Sequence, residues 1–353
     1  MNSTSIPSIA TARFGHVCLT GVSACTCIGL TALTSSAAVR AGISGIGSHS
    51  HMRDKAGEPF AVGMVPHIVS TLREQRLVSM ARMAVNEAMA SLPPELRSGL
   101  VLHLGLPDLS ESFTRNTCTL ICGELERLLA DEGTPISVHA WPYGNASSLL
   151  ALQQVARQIE HGEVECALVG GVDSYIDVDI LEALDQQGRV ASSSNKWGFQ
   201  PGEGAAVLVV CQSDFAQRAG LNALASVRCV STGVEDNSMH SEGICVGKTL
   251  GAVFAAATET AGQASDQYCD IDGDRYREHE FSYAILRIPG DSFRNATDYV
   301  APADCWGNCG AATAALLTTL CTVMRARGAP VGSHPMIWCG SESGHRAAMV
   351  LHV

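Results

Sequence analysis

Two short stretches carry the side chains whose types and spacing point to chemistry. Tyr143-Gly144-Asn145-Ala146-Ser147-Ser148 sets an amide and two hydroxyls at the head of a run whose apolar positions (146, 149, 150, 152, 155, 156, 159) repeat with helical period. Trp306-Gly307-Asn308-Cys309-Gly310-Ala311-Ala312 repeats the pattern and adds a thiol beside the second amide. An asparagine placed there is suited to cap its helix, the side-chain oxygen accepting a free N–H of the first turn. Cys309, at the positive end of a helix dipole, is a candidate for ionisation. Ser147 and Ser148 would be nucleophiles only beside a base; with no Gly-x-Ser-x-Gly context they are expected to be first-turn residues. Asp272 and Asp274 beside Arg275 and Arg277 form a possible acid–base cluster, expected instead to be a solvated ion-pair loop. His240 and His279 are the histidines near the later loops that could act as a base.

The elements that position these stretches follow from pattern. Each begins a helix, the first ending near Gly162 and the second near Gly328, and each helix feeds an apolar strand closing on glycine, at 167–171 and 336–340. The unit occurs twice, so the chain is expected to be a duplicated α/β protein with halves at 1–215 and 216–353. Further strands are expected at 16–22, 100–105, 135–141, 205–210 and 223–230, and helices at 72–90, 117–130 and 248–261. Residues 48–57 are polar and loop-like, and the pattern at 281–287 fits strand and helix equally. No Pro- or Ser-rich linker divides the halves, which implies a shared sheet system.

Composition sets the bounds. The 353 residues are 46% hydrophobic and 16% charged, which suits a well-buried α/β protein, and the 34 glycines and scarce aromatics suit closely packed layers. The net charge of −12 argues against a general nucleic-acid surface. The 14 cysteines lack the doubled pairs, or pairs with nearby histidines, of a zinc site, so no metal or cofactor is expected and the thiols are expected to be small buried hydrophobes in a reducing compartment. Residues 1–13 lack a basic start and an apolar core, so no secretion signal is expected. No apolar run approaches membrane-spanning length. The expectation is a soluble, cytoplasmic protein.

Several motifs in order resemble the β-ketoacyl synthases of the thiolase superfamily, over essentially the whole chain. They are Leu19-Thr20-Gly21-Val22 with Ala41-Gly42-Ile43-Ser44-Gly45-Ile46, then Leu168-Val169-Gly170-Gly171-Val172-Asp173-Ser174. Gly198-Phe199-Gln200-Pro201-Gly202-Glu203-Gly204-Ala205-Ala206 is the most specific; Gly310-Ala311-Ala312 and Gly344-His345-Arg346-Ala347 add to it. The resemblance implies a thiolase-like α-β-α-β-α layered fold made of two similar halves, the second shortened here, and usually a homodimer.

The resemblance also implies a site. Family members carry a nucleophilic cysteine at the first helix start, two histidines (or a histidine and an asparagine) and often a lysine. Carried over, the cysteine position is Asn145, the histidine positions are Asp272 and Asn308, and the lysine position is Ala303. The terminal glycine-rich loop is Gly340-Ser341-Glu342-Ser343-Gly344, with His345 after it. Cys339 falls near a cysteine that thiolases use in acid–base chemistry, although a buried strand thiol is the simpler expectation. Phe199, Ser147, Gly344, His345 and Cys339 are the residues expected to contact a substrate. An amide forms no acyl thioester, so the expectation is a ketosynthase-like protein without cysteine-dependent condensation. It would bind acyl chains, an acyl carrier protein or a partner ketosynthase in fatty-acid or polyketide-type metabolism, as a homodimer or heterodimer, much as chain-length-factor subunits do. Two alternatives stay open: an acyltransferase or malonyl-thioester decarboxylase in which Asn145 and Asn308 hold a carbonyl or enolate, and a structural scaffold.

Overall fold

The computed structural model describes residues 8–353. The expectation about residues 1–13 rests partly on residues 1–7, outside the described residues. The chain opens with β1 (Ile9–Arg13), β2 (Val17–Val22), β3 (Cys25–Thr26), α1 (Ala32–Arg40), β4 (Ile46–Arg53), β5 (Pro59–Gly63) and α2 (Arg73–Met89). Next come β6 (Val101–Leu106), α3 (Arg115–Asp131), β7 (Ser137–Pro142), α4 (Ser147–Glu160), β8 (Cys166–Ser174), α5 (Val178–Gln186), β9 (Glu203–Gln212) and α6 (Ser213–Arg218). The rest is β10 (Ala225–Val234), α7 (Lys248–Ala261), β11 (Asp266–Cys269), α8 (Arg275–Ile285), α9 (Ala303–Trp306), α10 (Thr313–Ala326), β12 (Pro335–Gly340) and β13 (His345–His352).

The strands run β7-β6-β8-β9-β2-β10-β13-β12-β11, with β1 added to β10 and β3 to β9. The order is itself a repeat. β2, α2, β6, α3, α4, β8 and β9 recur as β10, α7, β11, α8, α10, β12 and β13, with parallel pairing at β6–β8 and again at β11–β12. The counterpart of β7 is reduced to a single parallel bridge between Val300 and Tyr268. Hydrogen bonds between β2 and β10 join the two sets. The expected boundary at 215/216 falls inside α6.

Five layers result. Helices α2 and α3 cover β7–β9 over a core that includes Leu77, Met80, Leu102, Leu104 and Val207. On the far side α7 covers β10 and β13, and Phe281 of α8 stacks on Trp338 of β12 at 5.1 Å. Between the two sets lie α4, against β6, β8, β10 and β13, and α10, against β8, β9, β11 and β12. A helix sandwiched between sheets has no solvent face, so it must be apolar or small all round. Accordingly α10 is buried without interruption from Thr313 to Thr322, built from Ala, Leu, Thr and Cys.

Local pattern misled in two places and left a third open. Residues 48–57, expected as a loop, supply most of β4 and the turn that follows it in the β4–β5 hairpin, whose exposed polar residues are held by backbone pairing rather than by burial. Residues 281–287 lie largely in α8. The expected solvated loop at 270–280 is interior: Asp270, Asp274, Arg277 and Glu280 are all buried. A strand end delivers the first carboxylate inward and α8 returns the guanidinium to it.

Candidate active site at the two central helix starts

Each central helix is preceded by one 3₁₀ turn, Gly144–Ala146 before α4 and Gly310–Ala312 before α10. Both turns open on a left-handed glycine, with φ of 58° at Gly144 and 47° at Gly310. A Cβ on Gly310 would stand 2.0 Å from Asp173 Oδ2, so only glycine fits. Matched by these turns, Asn145 corresponds to Ala311 and Ser147 to Thr313. This corrects the sequence alignment of Asn145 with Asn308, because Asn308 precedes its turn whereas Asn145 lies within one.

The capping expectation divides in the same way. Asn145 caps nothing, since α4 has no side-chain cap of its own. Its neighbour Ala146 donates its N–H to Ser341 Oγ at 2.9 Å, just past β12. One position earlier in its own turn, Ala311 N donates to Asp173 Oδ2 at 2.9 Å, at the end of β8. Each helix start is therefore met by a strand end of the other repeat. Asn308 does cap locally, its Oδ1 accepting from Gly310 N at 2.8 Å.

The two amides are spent on one buried network. Asn145 Nδ2 donates to Asp270 Oδ2 at 3.2 Å, and Asn308 Nδ2 donates to Asp272 Oδ2 at 2.6 Å. Arg277 links the two acids: Nη1 lies 2.6 Å from Asp270 Oδ2 and Nε 3.5 Å from Asp272 Oδ2. Gly340 closes the knot, its N–H on Asp270 Oδ2 at 2.9 Å and its carbonyl accepting from Arg277 Nη1 at 2.6 Å. Burial pushes the Asp272 carboxyl up to about 6 against the opposing pull of Arg277. Burial acts to lower the Arg277 guanidinium, but Asp270 and Asp272 hold it well above its ordinary value. The sequence singled out Asp272 and Asn308 but missed Asp270 as the hub; the local signal was Asp270-Ile271-Asp272 directly after the short strand Asp266–Cys269.

Around this knot the space is nearly filled. Asp272, Asn308 and Thr313 line a void of about 10 Å³, room for one water molecule at most. Ser147 Oγ and Thr313 Oγ1, the matched hydroxyls of the two helices, are both buried without a hydrogen-bond partner. Ser148 instead donates to Gly170 O and Ala311 O at 3.1 and 3.2 Å, which ties α4 to the other helix start. Neither serine has a base beside it. The nearby thiols of Cys309, Cys339 and Cys269 are all raised well above their ordinary value by burial, far from thiolate character.

Toward the surface, the terminal loop is clamped. Glu342 pairs with Arg189 at 2.7 Å and His240 at 3.0 Å, and Arg189 also reaches Asp274 at 3.2 Å. Burial would raise Glu342, but these hydrogen bonds and charges hold it well below the usual carboxylate range. Ser343 donates to Asp108, and His345 packs edge-on to Tyr143 at 4.8 Å. Gly344 is left-handed and backs onto Glu235. Phe199 is core, packed on Tyr175 with the Arg189 guanidinium over its ring. Its motif holds the second helix start through Asn308 N to Gln200 O and Gly202 N to Asn308 O. Glu203, fully buried, takes Arg76, Val65 N and Ser174 Oγ. Ala303 begins α9, and His279 is exposed on α8, away from the knot. Among the described residues Glu235, Cys245 and Glu280 group their ligand atoms within 4.8 Å, but Arg346 already occupies Glu280 at 2.7 Å as the local cation.

Residues 108–216 match the family described as Beta-ketoacyl synthase, N-terminal domain. Almost the whole chain superposes on solved ketosynthases. A type II polyketide synthase acyl-carrier protein in complex with its ketosynthase (AntDE:AntF) matches at TM-score 0.79 and 15% identity, over 97% of this chain and 100% of that one. The chain is ketosynthase-like. The ishigamide ketosynthase/chain length factor is as similar to this ketosynthase-like chain, at TM-score 0.79, 18% identity and the same coverage. A ketosynthase from module 6 of the Bacillus subtilis 168 bacillaene synthase matches at 0.75 and 13% identity, over 96% of this chain and 72% of that one. At these identities the likeness is one of fold, the thiolase-like layered fold. In sequence, polyketide synthase PksN of Bacillus subtilis (strain 168) is 37% identical over 82 residues, 21% of this chain and 2% of that protein. Component PikAIII of the Streptomyces venezuelae pikromycin synthase is 30% identical over 142 residues, 38% of this chain and 8% of that protein. The matched segments thus span under a tenth of these much longer relatives. No helix among the described residues is long and apolar enough to cross a membrane.

Proposed function

We propose that this ketosynthase-like chain is a non-condensing subunit of polyketide-type metabolism, acting through association with an acyl carrier protein or a ketosynthase rather than through an acyl-enzyme. One observation carries the reading: the amide of Asn145, at the position the family resemblance assigns to the nucleophile, is bound into the Asp270–Arg277–Asp272 knot. Covalent catalysis needs a nucleophile with a base in reach; here the neighbouring hydroxyls lack a base and the thiols are held protonated by burial. The void beside Asp272 and Asn308, about 10 Å³, has no room for an acyl group at the second helix start. The likeness to a ketosynthase/chain length factor supports the partner role. The decarboxylase reading is weaker, because one donor of each amide already serves Asp270 or Asp272 and those acids would stand beside an enolate.

The test is incubation of the purified chain with acyl- and malonyl-loaded acyl carrier protein, read by mass spectrometry, with sedimentation run in parallel against the unloaded carrier protein and a polyketide ketosynthase. The expected result is no acyl transfer, no loss of CO₂ and a sedimenting complex. Turnover of either thioester would overturn the reading.

A further inference from the structure

Three cysteines stand in one row across three neighbouring strands. Cys211 of β9 lies between Cys18 of β2 and Cys166 of β8, directly opposite each. The two pairings differ. Gln212 N donates to Glu165 O at 2.8 Å, which makes Cys166–Cys211 a non-hydrogen-bonded pair of the ladder. Such pairs bring Cα atoms to about 4.5 Å with the side chains close, inside the range a disulfide spans. On the other side Ser213 N donates to His16 O, so Cys18–Cys211 is a hydrogen-bonded pair, wider by about 1 Å. The sulfur positions agree: Cys166 Sγ and Cys211 Sγ are 3.2 Å apart, while Thr20 Oγ1 is the other neighbour of Cys211 Sγ, at 3.4 Å. Both thiols are free. Cys211 is fully buried, but Cys166 opens its strand and is partly exposed, beside the surface pair Glu165–Arg218.

We infer that Cys166 and Cys211 form a reversible oxidation site, closed by small disulfides of the glutathione class into a cross-strand disulfide between β8 and β9. The Cys166 thiolate attacks one sulfur of the oxidant, forming a mixed disulfide and releasing one thiol. Cys211 gives up its proton and displaces the second thiol from Cys166 Sγ. Two thiols of the protein lose two protons and two electrons, and the oxidant becomes two thiols. The sulfurs need close by only about 1.2 Å. The bond would enclose a long segment, the partners being 45 positions apart, and such loops are where a cross-link restricts the unfolded chain most. It would lie at the far end of the β8–β9 ladder from Asp173 and Glu203, so it is a staple and leaves the helix starts unchanged.

The test equilibrates the reduced full-length chain with mixtures of reduced and oxidised glutathione, followed by acid quench, alkylation and peptide mapping. With oxidised glutathione in excess, one linkage joining positions 166 and 211 is expected, with a loss of about two mass units. The thermal midpoint is expected to rise by several degrees over the reduced chain. Cys166→Ser and Cys211→Ser each abolish the linkage, and Cys18→Ser keeps it. Full alkylation of both residues in that mixture, a glutathione adduct left unresolved on Cys166, or a bond from Cys211 to Cys18 would each overturn the inference. The wild-type map decides even if a serine variant fails to fold.

Discussion

At the start of α4 the Ala146 N–H meets a neutral hydroxyl, Ser341, whereas at the start of α10 the Ala311 N–H, one position earlier in its turn, meets a carboxylate, Asp173, itself paired with Arg73 at 3.0 Å. Both helices are 14 residues long and both follow the same kind of turn, so the backbone demand is similar while the position and chemistry of the partner differ. A carboxylate answers the positive end of a helix dipole directly; a hydroxyl answers only the N–H. The second helix start is thus pinned by charge inside the other repeat. At the first, the negative charge stands one link further off, on Asp270, and reaches the helix through the amide of Asn145. The second start is held directly by a carboxylate, and at the first the side chain of Asn145 carries the link to Asp270.

Breaking the charged pin should have the largest effect. Asp173→Ala leaves Arg73 without its carboxylate and Ala311 N–H without an acceptor. It is expected to cost about 3–5 kcal/mol in urea unfolding, against about 1–2 kcal/mol for Ser341→Ala. Equal losses would erase the distinction between the two starts. Next, Asn145→Asp sets a second carboxylate against Asp270. A loss of about 2 kcal/mol is expected, larger at pH 8 than at pH 5 because the added group ionises; a pH-independent loss would mean that Asp270 is not its neighbour.

Smaller effects lie in pH dependence, and two buried groups work in opposite senses. Asp272 is raised by burial from 3.8 to about 6. The folded chain therefore binds its proton more tightly than the unfolded chain does. Its contribution is fully present below about pH 4 and falls away as pH rises to about 6. Asp272→Asn should remove that decline from unfolding midpoints measured across the window. His103, whose Nδ1 accepts from Trp141 Nε1 at 3.2 Å, is lowered from 6.5 to about 4 by burial and by His139. Its contribution is present above pH 6.5 and is lost as pH falls toward 4, so His103→Gln should flatten the acid limb instead. If both variants bent the same limb, one of the two assignments would be wrong.

Much of the fold was legible because its signals are local. Helix α7 lies at 248–261 as its periodicity predicts, and the apolar strands at 167–171 and 336–340 sit inside β8 and β12. The motif Gly198 to Ala206 marked a real support, the segment that clasps Asn308. The site was less legible. Alternating Asp and Arg at 270–277 looks like a solvated surface because local composition carries no record of what will cover it. Burial became affordable there only because Arg277 meets Asp270 and Asp272 at once. The sequence repeat also slipped by three residues at the second start, since both stretches share Gly-Asn while the backbone turns match Gly144 to Gly310.

The chain's own order of residues determined the alternation of helices and strands, its repetition, and the small, apolar character of the two central helices. Those properties depend on neighbours a few positions apart. Tertiary structure alone decided which donor meets which acceptor. Asn145 and Asp270 are 125 positions apart, Ala146 and Ser341 195, and Asp173 and Ala311 138. A hydrogen bond is short and directional, so such partners are fixed only when the two sets of strands close on the helices between them.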